Sequence, residues 1–110
     1  KKKYANLLIF QHIPWFVNRP DEKDEYANIP AVRRAVYLDL FHKYGVKYVF
    51  AGHLHRNATG HDRDLEMIST GPVGKTLGRD PSGLRVVWTG AAKITHRYYS
   101  LDSIPSHVEP

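Results

Sequence analysis

The chain contains 110 residues with a formal net charge of +5, and 42% of its residues are hydrophobic and 25% charged. These values are those of one ordinary globular domain, and they argue against disordered or collagen-like structure. No apolar run is long enough to span a bilayer, so we expect no membrane partner.

Cysteine is absent from the sequence, and the positive charge is concentrated at one end. The lack of cysteine excludes disulfides and suits the reducing cytoplasm, where we expect the protein to be located. Lys1, Lys2 and Lys3 contribute three of the five net charges. The other basic residues are scattered among acids, so we expect no nucleic-acid partner. No signal or transit peptide is visible, and a targeting segment upstream of the first lysine stays open.

The first predicted strand is the apolar run Leu-Leu-Ile-Phe at residues 7–10, which is followed by Gln11 and His12. A fully apolar run of this length is typical of a strand buried on both faces, as in a parallel sheet covered by helices. Residues 13–29 contain two prolines and an acidic run at residues 21–25. They predict an irregular, exposed excursion whose acidic side chains are solvated.

A helix is predicted between Pro30 and Gly45, since proline favours a first helical turn and glycine a helix end. Within it, apolar residues fall on one broad arc at about 100° per residue. Its members are Val36, Tyr37, Leu38, Leu40, Phe41 and Tyr44. Polar residues, among them His42, lie opposite this arc, and Arg33 interrupts it near its start.

Residues 46–51 (Val-Lys-Tyr-Val-Phe-Ala) are β-branched and aromatic and predict a second strand. Strand, helix and strand make a βαβ unit whose two strands are expected to be parallel. Three further strand-like segments follow at residues 65–70, 84–89 and 94–101, separated by turns without a helix. They predict an antiparallel extension of the sheet or part of a second sheet, and residues 103–110 predict a flexible tail.

Three histidines follow the ends of the two predicted parallel strands. His12 follows the first strand, and Gly52-His53-Leu54-His55 follows the second. Ligands of open α/β sheets bind beyond the carboxyl ends of the strands, so we expect these side chains at one rim. Neutral imidazoles ligate zinc, iron and manganese, and Gly52 would let the backbone bend inward. The pattern predicts a metal site in which His53 and His55 bind one ion, or one ion each of an adjacent pair.

Structural roles for these histidines are the alternative. A single histidine at a strand end is more often hydrogen-bonded within the protein, and a His-x-His pair in a loop is a ligand in a minority of cases. The combination at two adjacent strand ends makes metal binding an equal alternative. We would not assign the remaining histidines to the site: His42, His61, His96 and His107.

Two other catalytic patterns find no support. Gly74-Lys75-Thr76 resembles the end of a phosphate-binding loop, but position 69 is serine where that motif needs glycine, and no helix follows. The serines show no partnered histidine and aspartate, so nucleophilic serine catalysis is not predicted.

Segments spread over nearly the whole chain resemble the calcineurin-like metallophosphoesterases. The order of the segments makes this resemblance more specific than Gly-His-x-His alone. They are residues 10–16 (Phe-Gln-His-Ile-Pro-Trp-Phe), 28–30 (Asn-Ile-Pro), 49–57 (Val-Phe-Ala-Gly-His-Leu-His-Arg-Asn), 65–67, 77–87 and 96–101. The chain is similar in particular to the branch described as calcineurin-like phosphoesterase domain-containing, of serine/threonine phosphatase type.

The resemblance implies an α/β fold that forms the C-terminal part of a four-layer αββα sandwich, with a βαβ unit followed by antiparallel strands. It also implies two divalent metal ions at the strand ends, with manganese, iron, zinc and magnesium not distinguished. His12 and His53 would bind one ion and His55 the other. The substrate would be phosphorylated, either a phosphoprotein or a small phosphoester.

The family's other motifs would precede this segment, since Asp-x-His, Gly-Asp and Asn-His do not occur here. The bridging carboxylate, an Asn ligand and the general-acid histidine are therefore expected upstream, and no catalytic acid is predicted in this chain. Three neutral imidazoles leave the charge of two divalent ions uncompensated, so carboxylates must come from elsewhere. We expect residues 1–110 to be the C-terminal portion of the domain and inactive alone. The missing N-terminal half would be its partner and would cover an apolar sheet face.

Other residues near the motifs have two interpretations each. Arg56 and Asn57 are candidates for contact with a phosphoryl group, and hydrogen bonds that fix the loop are an equal alternative. Trp15 and Phe16 either shape a substrate wall or pack in the core. The acidic run at residues 21–25 could select partners, although such runs are usually only solvated.

Three functional hypotheses follow from the sequence. The first is a metal-dependent phosphoesterase that hydrolyses phosphomonoesters by a water activated between two metal ions, on phosphoserine or phosphothreonine among other substrates. The second is a non-catalytic protein-interaction scaffold with the same fold. The third is a self-sufficient small metal-binding domain, which would fold cooperatively with stoichiometric metal.

Overall fold

The structure is a computed structural model that describes residues 4–109. Its elements in chain order are β1 (Leu8–Gln11), α1 (Ala31–Lys43), β2 (Tyr48–Ala51), β3 (Ala58–Asp62), β4 (Leu65–Ser69), β5 (Gly83–Thr89), β6 (Ile94–Ser100) and a 3-10 turn (Leu101–Ser103). No helix within these residues is long and apolar enough to cross a membrane. The three terminal lysines, and Pro110 of the predicted flexible tail, lie outside the described residues.

The predicted βαβ unit is confirmed. β1 and β2 pair in parallel, with Leu8 opposite Tyr48 at one end of the ladder. The connecting helix begins after Pro30 and ends before Gly45, whose φ of 76° is in the left-handed region that glycine adopts at little cost. Because both strands run in the same direction, the segments that follow them leave the sheet at the same edge.

The first sheet has the strand order β1-β2-β4-β3 among the described residues. The expected antiparallel extension is wrong for β4, which pairs in parallel with β2, while β3 pairs with β4 as an antiparallel hairpin. β3 is absent from the sequence prediction because its centre is a glycine, which weakens a strand pattern. A Cβ at Gly60 would lie 2.7 Å from the carbonyl oxygen of Asn18, so this strand packs against the excursion.

The second sheet consists of β5 and β6, which form an antiparallel pair from Gly83 opposite Ser100 to Thr89 opposite Ile94. The alternative of a second sheet is therefore confirmed for these two segments. Their side chains meet the first sheet at His96, whose ring lies 5.7 Å from that of Phe50 with an edge-on arrangement. The structure is thus α/β with a mixed sheet and a separate hairpin.

The helix buries a narrower stripe than its apolar arc predicts. Arg34, Leu38 and Phe41 are buried, which is the i, i+4, i+7 spacing of one helix face. The other arc members are exposed: Val36, Tyr37, Leu40 and Tyr44. The prediction is wrong for them because the sheet contacts only one side of α1.

One further expectation needs correction. β1 is not buried on both faces, since Phe10 is 68% exposed and only stacks on Phe50 across the parallel ladder. The described residues leave that part of the sheet face open. His42, on the polar helix face, is half-buried, and its Nε2 lies 2.7 Å from a carboxylate oxygen of Asp62 in β3.

The core lies between the inner face of the first sheet, α1 and the start of the excursion. Its cluster of buried side chains comprises Trp15, Phe16, Leu38, Phe41, Val46, Val49, Ala51, Leu65 and Met67. This packing fixes the backbone that follows His12, because Trp15 and Phe16 come shortly after it in sequence.

Candidate functional site

The two histidine segments leave the sheet side by side at its carboxyl edge. His12 follows β1 directly and Gly52 follows β2 directly. The N–H of Gly52 donates to the carbonyl oxygen of His12 over 3.0 Å. This hydrogen bond extends the contact between the two strands by one step, so the side chains that follow are placed near one another, as the topology predicts.

His12 and His53 form a close pair of imidazoles. Nδ1 of His53 lies 3.4 Å from Nε2 of His12, and their ring centroids are 5.1 Å apart at an interplanar angle of 78°. His12 is exposed and His53 is half-buried. The two nitrogens face each other at the carboxyl ends of β1 and β2, where an ion or a proton can be shared between them.

The second nitrogen of His53 is held by the excursion. Nε2 of His53 lies 3.1 Å from the carbonyl oxygen of Tyr26, and the ring of Tyr26 packs on that of His53 at a centroid distance of 4.7 Å. A carbonyl oxygen only accepts hydrogen bonds, so Nε2 of the neutral ring carries the proton. Nδ1 is then left with a free lone pair directed toward His12. An N–H bond to a backbone carbonyl is the usual way in which proteins fix the tautomer of a metal-binding histidine.

Glu22 anchors the excursion that carries Tyr26. Its carboxylate accepts four hydrogen bonds of 2.8–3.1 Å, from the N–H groups of Val17, Asn18 and Arg19 and from Nδ2 of Asn28. Burial raises the pKa of Glu22, and the hydrogen bonds lower it by more, so that its pKa lies below the usual value. The expectation of a merely solvated acidic run is therefore wrong for Glu22, since its charge organises the loop.

Arg34 of α1 supports the same loop from inside. Its guanidinium is 1% exposed and donates to the carbonyl oxygens of Pro20, Glu22 and Ile29 at 2.8–3.2 Å. Asp24 lies 3.7 Å from this guanidinium and also accepts the N–H of Ala31. Residues 13–29 contain no helix or strand, as predicted, and these internal hydrogen bonds order them.

Backbone strain is concentrated in the loop after β2. His53 has a φ of 71° and His55 a φ of 60°, in the left-handed region that is uncommon for residues other than glycine. The predicted bend at Gly52 is instead made by these two histidines, since Gly52 has no positive φ. Strained residues of this kind cluster at functional sites, where the surrounding structure fixes them.

His55 stands apart from the imidazole pair. Its side chain is exposed, and its carbonyl oxygen accepts the N–H of Leu77, which fixes the backbone. Within residues 4–109 no group of three His, Cys, Asp or Glu side chains could hold a metal ion. The structure therefore brings together His12 and His53 of the three predicted ligands, and the described residues add no carboxylate to them.

Arg56 and Asn57 differ in their surroundings. Oδ1 of Asn57 accepts hydrogen bonds from the N–H of Gly71 and from Nη2 of Arg85 at 2.8 and 2.9 Å, and its own N–H donates to Asp80. These contacts support the loop-fixing alternative for Asn57. Arg56 is exposed, which leaves its guanidinium accessible to a ligand at the sheet edge.

The structure contains a polar network behind this loop that the sequence did not predict. Arg85 of β5 donates to Asn57 and, through Nε, to Thr70 over 3.0 Å, and its Nη1 lies 3.0 Å from His96. His96 in turn lies 3.3 Å from a carboxylate oxygen of Glu66. Burial lowers the pKa of Arg85, and the nearby Glu66 carboxylate opposes this shift. The network connects the second sheet to the end of the loop at residues 52–57 that carries His53 and His55.

The remaining candidate residues lie either in the core or at the surface. Phe16 is fully buried and Trp15 is 8% exposed, so both belong to the core, while Trp15 also lines a cavity beside α1. His61 is exposed on β3, and Nε2 of the exposed His107 lies 3.2 Å from a carboxylate oxygen of Glu109.

The chain is an α/β structure with paired imidazoles at the carboxyl ends of two parallel strands. Comparison with known proteins shows which proteins it is similar to. The chain is 50% identical over 100 residues to the human serine/threonine-protein phosphatase CPPED1. It is 46% identical over 104 residues to the rat protein of the same name and 46% identical over 99 residues to the zebrafish one. The predicted resemblance is thereby confirmed.

These alignments cover 90–94% of the chain and 32–33% of the relatives, so the chain spans about a third of the length of the curated proteins it matches. No family model matches the chain. No solved structure matches it either.

Proposed function

We propose that this chain is the C-terminal part of a metal-dependent phosphoesterase that hydrolyses phosphomonoesters, including phosphoserine and phosphothreonine in proteins. The observation that carries the proposal is the His12–His53 pair at the sheet edge, in a chain about half identical to proteins named serine/threonine-protein phosphatase. In the full-length protein the chain completes a four-layer αββα sandwich with a preceding segment. That segment covers the open sheet face at Phe10.

The imidazole pair fits one side of a metal coordination shell. Two nitrogens that are each about 2.0–2.1 Å from one ion, at the tetrahedral angle, are about 3.4 Å apart. The separation of Nδ1 of His53 from Nε2 of His12 is 3.4 Å. His12 and His53 would hold one divalent ion, and the neighbouring His55 a second. Manganese, iron, zinc and magnesium remain alternatives, since imidazole ligands alone do not choose among the first three.

Bound divalent ions would supply an activated water and would neutralise charge on the phosphoryl oxygens. The chain's own residues orient the site. The Tyr26 carbonyl holds the His53 ring with its Nδ1 lone pair directed toward His12. Asn57 fixes the end of the loop at residues 52–57, and Arg56, which is exposed, would contact a phosphoryl oxygen. Carboxylate ligands and the general acid come from the preceding segment.

The test uses the full-length protein with two substrates, p-nitrophenyl phosphate and a phosphoserine peptide. Phosphate release is measured before metal removal, after removal with a chelator, and after addition of manganese, zinc, iron or magnesium separately. We expect turnover that is lost with the metal and restored by at least one of these ions. A fully metallated protein that releases no phosphate from either substrate would contradict the proposal and favour the scaffold hypothesis.

A further inference from the structure

A cavity of about 450 Å³ lies between the segment after β1 and the first two turns of α1. Its walls include the apolar side chains of Ile13, Trp15, Ile29 and Tyr37. Ile13 follows His12 directly in the chain, and consecutive Cα atoms are about 3.8 Å apart. Asn28, which also lines the cavity, is two residues from Tyr26, whose carbonyl oxygen lies 3.1 Å from Nε2 of His53. The cavity is thus lined by residues that are close in sequence to the imidazole pair and to its anchor, and the function proposed above does not use it.

The walls of the cavity are fixed by packing inside the protein. The ring of Trp15 stacks on that of Tyr37 at 4.9 Å and meets Phe41 edge-on at 5.7 Å. The N–H of Ile29 donates to the carbonyl oxygen of Pro14 over 3.0 Å, which joins the two chain segments that form this wall. A cavity whose lining is already ordered binds an apolar group without the entropic cost of arranging its walls.

One cation at the cavity is available to a ligand. Arg33 lines the cavity and is exposed, and its guanidinium makes no hydrogen bond or ion pair with the residues that the structure describes. The neighbouring Arg34 is instead buried on three carbonyl oxygens and accompanied by Asp24. The first turn of α1 contains no acidic residue, so the charge of Arg33 is not compensated by its own helix.

We propose that this cavity is a substrate subsite, which binds an apolar side chain one or two residues from the phosphorylated residue of a protein substrate, with an acidic side chain beside it that pairs with Arg33. The lining residue Ile13 follows His12 directly, so an apolar side chain close in sequence to the phosphorylated residue is within reach of the cavity. The apolar walls and the single cation select a peptide over a small phosphoester, which has no group to fill the cavity. This inference rests on the phosphoesterase function proposed above.

The test compares kcat/KM of the full-length protein for p-nitrophenyl phosphate and for phosphoserine peptides. The reference peptide has leucine and glutamate next to the phosphoserine, on either side in two series, and matched peptides have alanine for leucine or lysine for glutamate. We expect leucine to alanine to lower kcat/KM about tenfold, because a large apolar side chain is no longer buried. The Arg33→Glu variant should lower kcat/KM for the glutamate peptide about fivefold and reverse the preference toward the lysine peptide.

Controls separate failure of the inference from failure of the proposed function. Lys43→Glu makes the same charge change at the other end of α1 and should leave the peptide preference unchanged. Hydrolysis of p-nitrophenyl phosphate should be equal in Lys43→Glu and the unmodified protein. If that hydrolysis is present but the leucine and charge changes have no effect, the subsite is wrong and the phosphoesterase function stands.

Two other outcomes would also overturn the subsite. If neither substrate is hydrolysed, the proposed function fails and the subsite fails with it. If Arg33→Glu lowers the melting temperature of the full-length protein by several degrees more than Lys43→Glu, another part of the protein fills the cavity.

Discussion

The carbonyl oxygen of Tyr26 lies 3.1 Å from Nε2 of His53, and this contact joins the acidic excursion to the imidazole pair. The excursion itself is held by the Glu22 carboxylate and the buried Arg34. The orientation of His53 therefore depends on a loop whose own order depends on two charged residues, Glu22 and Arg34.

Replacing Glu22 should loosen the excursion. Glu22→Gln places an amide NH₂ among four N–H donors, so at least one hydrogen bond is lost, and we expect a loss of about 1–2 kcal/mol in unfolding free energy. Urea denaturation of the full-length protein measures it. Glu25→Gln is the matched control, because Glu25 lies in the same run and its side chain is exposed. Equal effects of the two substitutions would contradict the anchoring role.

The same carboxylate predicts a pH dependence. The pKa of Glu22 is lowered in the folded protein from its usual value of 4.5, so its charge stabilises the fold at pH values above 4.5. That contribution is lost as the pH falls through the lowered pKa. The melting temperature of Glu22→Gln should therefore approach that of the unmodified protein in this acid range. A difference that stays constant from pH 7 down through this range would rule out the linkage.

Arg34 should be far more important for stability than its neighbour. Arg34→Met leaves three buried or half-buried carbonyl oxygens without their donor, and we expect a loss of about 3 kcal/mol in unfolding free energy. Arg33→Met removes an exposed side chain and should change it by less than about 0.5 kcal/mol. Chemical denaturation of both variants checks the contrast, and a similar loss in each would show that Arg34 does not hold the loop.

The contact between β3 and the excursion leaves no room at Gly60. In Gly60→Ala the new Cβ would lie 2.7 Å from the carbonyl oxygen of Asn18 and 2.9 Å from the ring of Phe16, so backbone must move. We expect a loss of about 1–3 kcal/mol, the usual cost of overpacking. Gly74→Ala is the control, because nothing lies within 4 Å of a Cβ there. A neutral Gly60→Ala in thermal denaturation would contradict this packing.

Substitution of Arg56 should weaken substrate binding, and substitution of Asn57 should lower stability. Asn57→Ala removes the acceptor of Gly71 and Arg85, and should lower stability by about 1–3 kcal/mol. Arg56→Ala should leave stability unchanged and raise KM for a phosphoester, since the Arg56 side chain is exposed at the sheet edge. Denaturation curves and steady-state kinetics on both variants are required. The reverse assignment of effects would move the substrate contact to Asn57.

Local signals were sufficient to predict the framework of the site. Pro30 and Gly45 bound the helix, the apolar runs on either side indicate strands, and the parallel-sheet rule then places His12 near His53. These inferences hold because each depends on a few neighbouring residues or on a topology with one common solution.

The parts that could not be predicted depend on distant backbone groups. Nothing in the sequence marks the carbonyl of Tyr26 as the acceptor for His53, or the amides after Phe16 as donors to Glu22. β3 was missed because Gly60 is required by its close approach to Asn18, which only the folded chain defines. A usable signal existed for Arg34, which has the i, i+4, i+7 spacing of the buried positions Leu38 and Phe41.

Metal affinity in a double-mutant cycle tests the central claim most directly. Divalent metal affinity of the full-length protein is measured by calorimetry for His12→Ala, His53→Ala and the double variant, with His61→Ala as the exposed-histidine control. If His12 and His53 hold one ion, each single substitution lowers the affinity at least tenfold, and the double variant loses far less than the product of the two. Unchanged metal affinity in His12→Ala and His53→Ala would show that the paired imidazoles are not ligands.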